Sequence, residues 1–405
     1  MIKSLAIALL STAALATPSN EFVVKLKSSS TKSMKSLGTV KNLNLKMGHF
    51  IVLKTQKSLD ELKNNPNIEY IEPNYTYKAF QAPSDTNFSK QWGLNNTGKN
   101  SGRVWSPGTK GVDISALEAW KITTGSASVK IAVIDTGVDY NHPDLKKNIM
   151  VNQAELNGTE GVDDDGNGFV DDTYGYDFGN NDNDPMDGHG HGTHCAGVIG
   201  ASHNGSGIAG VNAKVQILPI KFLQDNGSGT LAAAIGAIDY AIIRGVDVMS
   251  NSWGGSGNSI ALKEAIERAR DAGILFVAAA GNSNADNDTK MTIPAGYDID
   301  NIISVGALDG KGKRASFSNY GKKSVHVFAP GVDILSTVQN NGYKKMSGTS
   351  MACPHVAGVA GLILANEPNM SYSDIKSRLM NTAIIDSTLS KFTVTGYIDA
   401  FKALK

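Results

Sequence analysis

The sequence predicts a three-layer α/β domain with a mostly parallel sheet, preceded by a small α+β unit. Three observations carry that expectation. From residue 113 onward, apolar runs rich in β-branched residues (VKIAVIDTG, VQILPIKF, VDVMSNSWG, GILFVAAAGN, NIISVGA and VHVFAP) alternate with helical stretches such as TLAAAIGAIDYAIIRG and NSIALKEAIERARDAG. Strands that are apolar on both faces and alternate with helices indicate a parallel sheet covered on both sides. Residues 21–80 read differently, with an alternating strand in EFVVKLK, a short helix in SLDELKNN and a strand in IEYIEPNYTY.

The chain begins with an export pattern. Lys3 precedes an apolar stretch from Leu5 to Leu10, and Ala14-Leu15-Ala16 offers a small-x-small cleavage site. That stretch is too short to span a bilayer. Residues 1–16 are therefore expected to be a signal peptide, and the product a secreted, extracellular protein. Residues 17–80 form the next unit. It holds about sixty residues, marginal for an independent core. Gln81-Ala82-Pro83-Ser84 reads as a linker to a large domain over residues 81–405.

Composition narrows the function. The 405 residues carry 38 Lys+Arg and 38 Asp+Glu, so the formal net charge is zero. No basic field exists for nucleic acid or an anionic membrane. Neutrality hides a local asymmetry, because the stretch from Asp163 to Asp187 is acidic and lacks Lys and Arg. The two cysteines, Cys195 and Cys353, are expected as buried free thiols, since a chain of this size needs no disulfide framework.

Chemistry-bearing residues fall at the ends of elements. In parallel sheets sites form beyond the carboxyl ends of strands, where Asp135, Ser252 and Asn282 lie. IDTGVD puts Asp135 at a strand end, HGHGTHCAG puts histidines at the start of an apolar helix, and SGTSMACPHVAGVAGLILA puts Ser350 at the start of another. Serine needs a base to become a nucleophile, histidine can serve near neutral pH, and a buried carboxylate can orient the imidazole. Each residue also has a plainer use: the aspartate as a turn residue, the serine as a helix cap, the three histidines of HGHGTH as metal ligands.

The acidic stretch contains DDDGNGFVDD. Counted from Asp163, its oxygens at Asp163, Asp165 and Asn167, its turn glycine Gly168 and Asp171 at the ninth position follow the start of an EF-hand loop. The twelfth position is Tyr174 rather than Glu. A calcium loop outside the EF-hand fold is expected, and hard oxygen ligands exclude zinc as its natural occupant.

VIDTGVD, HGTHCAG and GTSMACPHVAG resemble, in that order, the three signature motifs of the subtilase family of serine proteases. HGTHCAG and DNGSGT are similar to its thermitase branch. The resemblance runs from about Asp85 to the C-terminus. It implies a subtilisin-like fold and a serine endopeptidase with Asp135, His191 and Ser350 as catalytic triad. AAAGN resembles the segment carrying the oxyanion-hole amide, which falls on Asn282. Gly227-Ser228-Gly229 and Ser252-Trp253-Gly254 resemble the two strands that hold an extended substrate, with Trp253 where leucine is common. SHNGSGIAG resembles a calcium loop and gives Asn204, with Asp144 and Asp85 as carboxylates. Residues 17–80 resemble inhibitory propeptides that also aid folding. The expected partners are protein or peptide substrates and the chain's own propeptide, and a monomer is expected. The specificity expected is broad with apolar preference. Two rival readings are a selective processing convertase and a catalytically dead, calcium-dependent binding protein.

Overall fold

The computed structural model describes residues 20–29, 31–74, 82–99 and 107–405. The expected signal peptide and the chain from residue 75 to 81 lie outside the described residues. The contacts divide the chain into two units, Met1–Phe80 and Gln81–Lys405.

The first unit contains strands β1 (Glu21–Leu26), β2 (Thr39–Asn42), β3 (His49–Lys54) and β4 (Ile68–Pro73), with short helices α1 (Lys32–Lys35) and α2 (Leu59–Lys63). The sheet order is β2-β3-β1-β4, and β1 pairs antiparallel with both neighbours. Alternation along EFVVKL buries Phe22, Val24 and Leu26. They pack with Met34, Ile51, Leu53, Leu62 and Ile68 into a small core. Helix α2 begins on a capping box: Ser58 accepts from the Glu61 amide and Glu61 reaches back to the Ser58 amide.

The second unit is built on seven strands: β5 (Gly125–Asp135), β6 (Tyr176–Asp177), β7 (Lys214–Lys221), β8 (Val248–Asn251), β9 (Leu275–Ala279), β10 (Ile302–Leu308) and β11 (Val327–Pro330). Their order is β11-β10-β9-β8-β5-β7-β6, and each neighbouring pair is parallel. A separate hairpin joins β12 (Ile334–Val338) to β13 (Gly342–Met346). The helices are α3 (Ala116–Ala119), α4 (Gln153–Leu156), α5 (His191–Gly200), α6 (Leu231–Ile243), α7 (Ile260–Asp271), α8 (Thr349–Asn366), α9 (Tyr372–Asn381) and α10 (Ala400–Ala403).

Strand β5 shows how the layers form. Ile131 and Val133 face one buried cluster, which includes Val356, Val359 and Ile363 of α8 and Val198 and Ile199 of α5. Ala132 and Ile134 face the other, with Ile238 of α6 and Ile266 of α7. The period of two along the strand thus serves two helix layers. The result is the three-layer α/β domain that the sequence predicts. Both cysteines are free and buried.

Candidate active site

Three elements that pack against one another carry the candidate triad. Strand β5 ends on Asp135, α5 begins on His191, and Ser350 is the second residue of α8. Gly192 permits the closest of these approaches: a Cβ there would stand 2.1 Å from the Gly137 carbonyl oxygen and 3.0 Å from Asp135 Cβ. Helix α5 can therefore start directly on the end of β5. His191 Nδ1 lies 2.7 Å from Asp135 Oδ1, which also accepts the Thr136 amide at 2.7 Å. Asp135 is fully buried, and its Oδ2 has no hydrogen-bond partner. Burial alone pulls the His191 proton affinity down. The charge and hydrogen bond of Asp135, and then the charge of Asp187, outweigh it and hold the imidazole above its ordinary value of 6.5.

The three histidines of HGHGTH separate clearly. His191 is the one that meets a carboxylate. His189 is exposed, its ring centroid 6.3 Å from that of His191. His194 is buried with Nε2 on the carbonyls of Ile334 and Lys344, at 2.9 and 3.1 Å. Burial pushes its proton affinity down to about 4.

The Ser350 hydroxyl donates to the Ser252 carbonyl at 3.1 Å, and the Ser350 carbonyl accepts from Ser252 Oγ at 2.9 Å and from Cys195 Sγ at 3.4 Å. Asn282 follows β9 in a turn that Gly281 makes possible with φ +107°. Its Oδ1 accepts the Thr349 amide at 2.8 Å and the Thr349 hydroxyl at 3.0 Å. That fixes the amide group and leaves Nδ2 for another acceptor. A Cβ on Gly348 would lie 3.5 Å from the Ser350 amide nitrogen and 3.6 Å from Asn282 Nδ2. Both donors thus border the space that glycine leaves open.

Two hollows adjoin this point. One of about 360 Å³ is lined by Asn282, Ser350, Gly254, Gly255, Thr292 and Lys290. A bridge between Gly255 and Ile293 closes its wall, with main-chain bonds of 2.9 and 3.0 Å. The other, about 810 Å³, lies between the two candidate substrate segments, Gly227-Ser228-Gly229 and Ser252-Trp253-Gly254. Its apolar lining includes Phe222, Leu231, Leu262 and Ile293, and the Trp253 ring meets Phe222 edge-on at 4.9 Å. No carboxylate lines either hollow among the described residues.

The candidate calcium residues divide into two groups. Asp85, Asp144 and Asn204 come together: the Asn204 amide donates to Asp85 Oδ1 at 3.1 Å, and Asn204 Nδ2 to Asp144 Oδ1 at 3.0 Å. Asp144 Oδ2 accepts Tyr343 OH and the Ile208 amide. Asp85 is buried, with Oδ2 lacking any partner, and burial raises its proton affinity. A hard cation beside that oxygen would supply the missing interaction, so this group fits calcium.

The acidic loop is arranged differently. Asp165 stands with Glu155 and Asp172, one oxygen of each within 4.8 Å of the others. Asp163 spends its two oxygens on the Asn167 and Gly168 amides, Asn167 Oδ1 accepts the Phe169 amide, and Asp171 accepts the Gly161 amide. Sequence reasoning missed Glu155 and Asp172. Asp172 lies inside the acidic motif. Glu155 stands eight residues before it, where only the fold brings it in: its carboxylate accepts the amides of Asp164, Asp165 and Asp171.

Comparison with known proteins follows the same lines. The family model described as the subtilase family matches residues 126–398. The chain is 39% identical to a thermophilic serine proteinase of Bacillus sp. (strain AK1) over 345 residues, 85% of this chain and 74% of that relative. It is 40% identical to thermitase of Thermoactinomyces vulgaris over 293 residues, 72% of this chain and 94% of that one. A crystal structure of a cold adapted subtilisin-like serine proteinase superposes with a TM-score of 0.56 at 34% identity, covering 68% of this chain and 92% of the other.

Proposed function

The chain belongs to the subtilase family of serine endopeptidases, and from that premise we propose that it cleaves peptide bonds with Ser350 as nucleophile, His191 as base and Asp135 as the residue that orients His191. The observation that carries this reading is the 2.7 Å contact of His191 with buried Asp135, together with a serine whose amide shares an open space with Asn282 Nδ2.

The reaction follows from the geometry. Asp135 holds the proton on His191 Nδ1, leaving Nε2 as the base. Ser350 Oγ turns from the Ser252 carbonyl, gives its proton to Nε2 and attacks the scissile carbonyl carbon. The oxyanion that forms accepts from the Ser350 amide and Asn282 Nδ2. The imidazolium returns its proton to the amine as the C–N bond breaks, leaving an ester on Ser350. Water, deprotonated by His191, then hydrolyses that ester.

Gly227-Ser228-Gly229 and Ser252-Trp253-Gly254 flank an extended substrate through main-chain pairing. The apolar lining around Phe222 and Trp253 supports a broad specificity with apolar preference. A convertase selective for basic residues needs carboxylates in its pockets, and among the described residues the one charged side chain lining the smaller hollow is Lys290.

Asp85, Asp144 and Asn204 would hold calcium, with Asp165 and its neighbours as a second candidate. A bound ion would stabilise the fold by mass action. Residues 17–80 act as an inhibitory and folding-assisting propeptide; support comes from their resemblance and from the self-contained sheet over residues 21–73. Secretion rests on the N-terminal export pattern, and no helix of the described residues is long and apolar enough to cross a membrane.

The test of the triad is Ser350→Ala. Hydrolysis of a chromogenic peptide should fall by about 10³-fold or more, and the precursor should remain uncut. Equal rates for the two proteins would refute the assignment, and no hydrolysis by the mature wild type would favour a binding protein on a protease scaffold.

A further inference from the structure

A second carboxylate is built into the catalytic centre. Asp187 is 3% exposed and receives five hydrogen bonds. Oδ1 accepts from Thr136 Oγ1 at 2.9 Å, from the His189 amide at 2.9 Å and from the Gly190 amide at 2.8 Å. Oδ2 accepts from the Thr193 amide at 2.9 Å and from Thr193 Oγ1 at 2.6 Å. These donors come from three places: the residue after β5, the loop before α5, and the first turn of α5. Thr136 Oγ1 in turn accepts the Gly192 amide at 2.9 Å. The N-cap position of α5 is Gly190, which has no side chain to cap the helix. Asp187 supplies the cap from outside, where an anion suits the helix dipole.

We propose that Asp187 is a positioning residue of the reaction, which locks the start of α5 onto the end of β5 and places a second negative charge beside the imidazole of His191. The inference rests on His191 being the base. Every donor that Asp187 binds lies within two residues of His191 or adjoins Asp135. A shift of this carboxylate therefore moves both partners of the 2.7 Å contact.

The titratable groups on the elements packed around His191 come from several places. Asp135 lies at the end of β5, Asp187 and His189 on the loop, and His194 and Cys195 on α5. On β7, Lys221 places Nζ 2.9 Å from the Thr136 carbonyl and 2.7 Å from Asp225. Helix α8 contributes Cys353 and His355, the latter neutral because burial pushes it down to about 4. After Asp135, Asp187 is the group whose charge raises the proton affinity of His191. It therefore favours the imidazolium that forms when Ser350 gives up its proton.

A structural cap and a tuning charge differ in one readout. Asp187→Asn keeps the size and removes the charge, so His191 should lose its proton at lower pH. The base is then neutral further into acid, and the acid limb of kcat/KM should move down by about half a pH unit or more. Asp187→Glu, which restores the charge, should return the limb toward the wild type. The same downward shift should appear in the imidazole titration followed by NMR in a Ser350→Ala background, where no proteolysis is needed. Coincident acid limbs and coincident titrations in folded Asp187→Asn would overturn the proposal. Should that variant not fold, Thr136→Val removes the hydroxyl that joins Asp187 to the Gly192 amide while keeping the charge. It should lower kcat with KM nearly constant, and an unchanged kcat would equally sink the positioning role. Full hydrolysis by Ser350→Ala would instead defeat the triad reading, a separate failure.

Discussion

At the scale of single residues, the proposed role of Asn282 divides its amide between structure and chemistry. Oδ1 is held by Thr349, and Nδ2 is kept beside the Ser350 amide. Asn282→Ala should lower kcat by about 10²–10³-fold with little change in KM, because the lost donor acts on the transition state. Steady-state kinetics on one peptide substrate measure this, and a change confined to KM would contradict it. Asp135, His191, Ser350 and Asn282 could be proposed from the sequence because each sits in a long motif at an element end. Asp187 and Glu155 were not, because what they do depends on amides brought to them by the fold. A carboxylate that collects backbone N–H groups leaves no spacing pattern. Asp163 makes the converse point. The spacing suggests a metal ligand, and the local turn offers its oxygens to the Asn167 and Gly168 amides.

Among elements, those with an apolar pattern were readable, including short ones such as β8 and β11, and those without one were not. Strands β7 to β10 and helices α6 and α7 follow their apolar patterns closely. Strand β13, GYKKM, has no buried residue and gives no alternation to read. Strand β6 is two residues long. The segment around Asn204 belongs between these extremes. Its helix stops at Gly200, and the residues that follow fold back on Asp144 and Asp85 through side-chain bonds. If calcium binds there, removing it leaves the buried Asp85 oxygen unpaired, and the loop should loosen first. Thermal unfolding of Ser350→Ala with chelator and with calcium should differ by roughly 2.7 kcal/mol of stabilisation at a hundredfold excess over Kd. Superimposed curves would leave the acidic groups as solvated surface. Changing Asp85→Asn should remove most of the calcium-dependent shift if this is the dominant site.

For the whole molecule, stability should fall in acid for an identifiable reason. Burial holds His194 and His355 down to about 4 and His326 down to about 3, against 6.5 for the free side chain. The unfolded chain binds protons near pH 6.5 while these folded histidines do not. Their contribution is therefore intact above that pH and is lost as pH falls toward 4, at about 1.4 kcal/mol per unit for each. His191, raised rather than lowered, works in the opposite direction and is outnumbered. Melting of Ser350→Ala at fixed calcium should drop steadily from pH 7 to pH 4.5, whereas a constant Tm would contradict this account. The contacts divide the chain after Phe80, and the pattern of the sequence changes near the same residue. If residues 17–80 are the inhibitor, adding that segment to mature enzyme should slow hydrolysis at micromolar concentration. The central claim, that Ser350 is a nucleophile activated by His191, is tested most directly by covalent capture. Mature enzyme treated with a fluorophosphonate should lose activity in proportion to one phosphonyl group per molecule, located by peptide mass spectrometry on Ser350. His191→Ala should slow the labelling by orders of magnitude. Labelling at another residue, or full activity with Ser350 modified, would contradict the account.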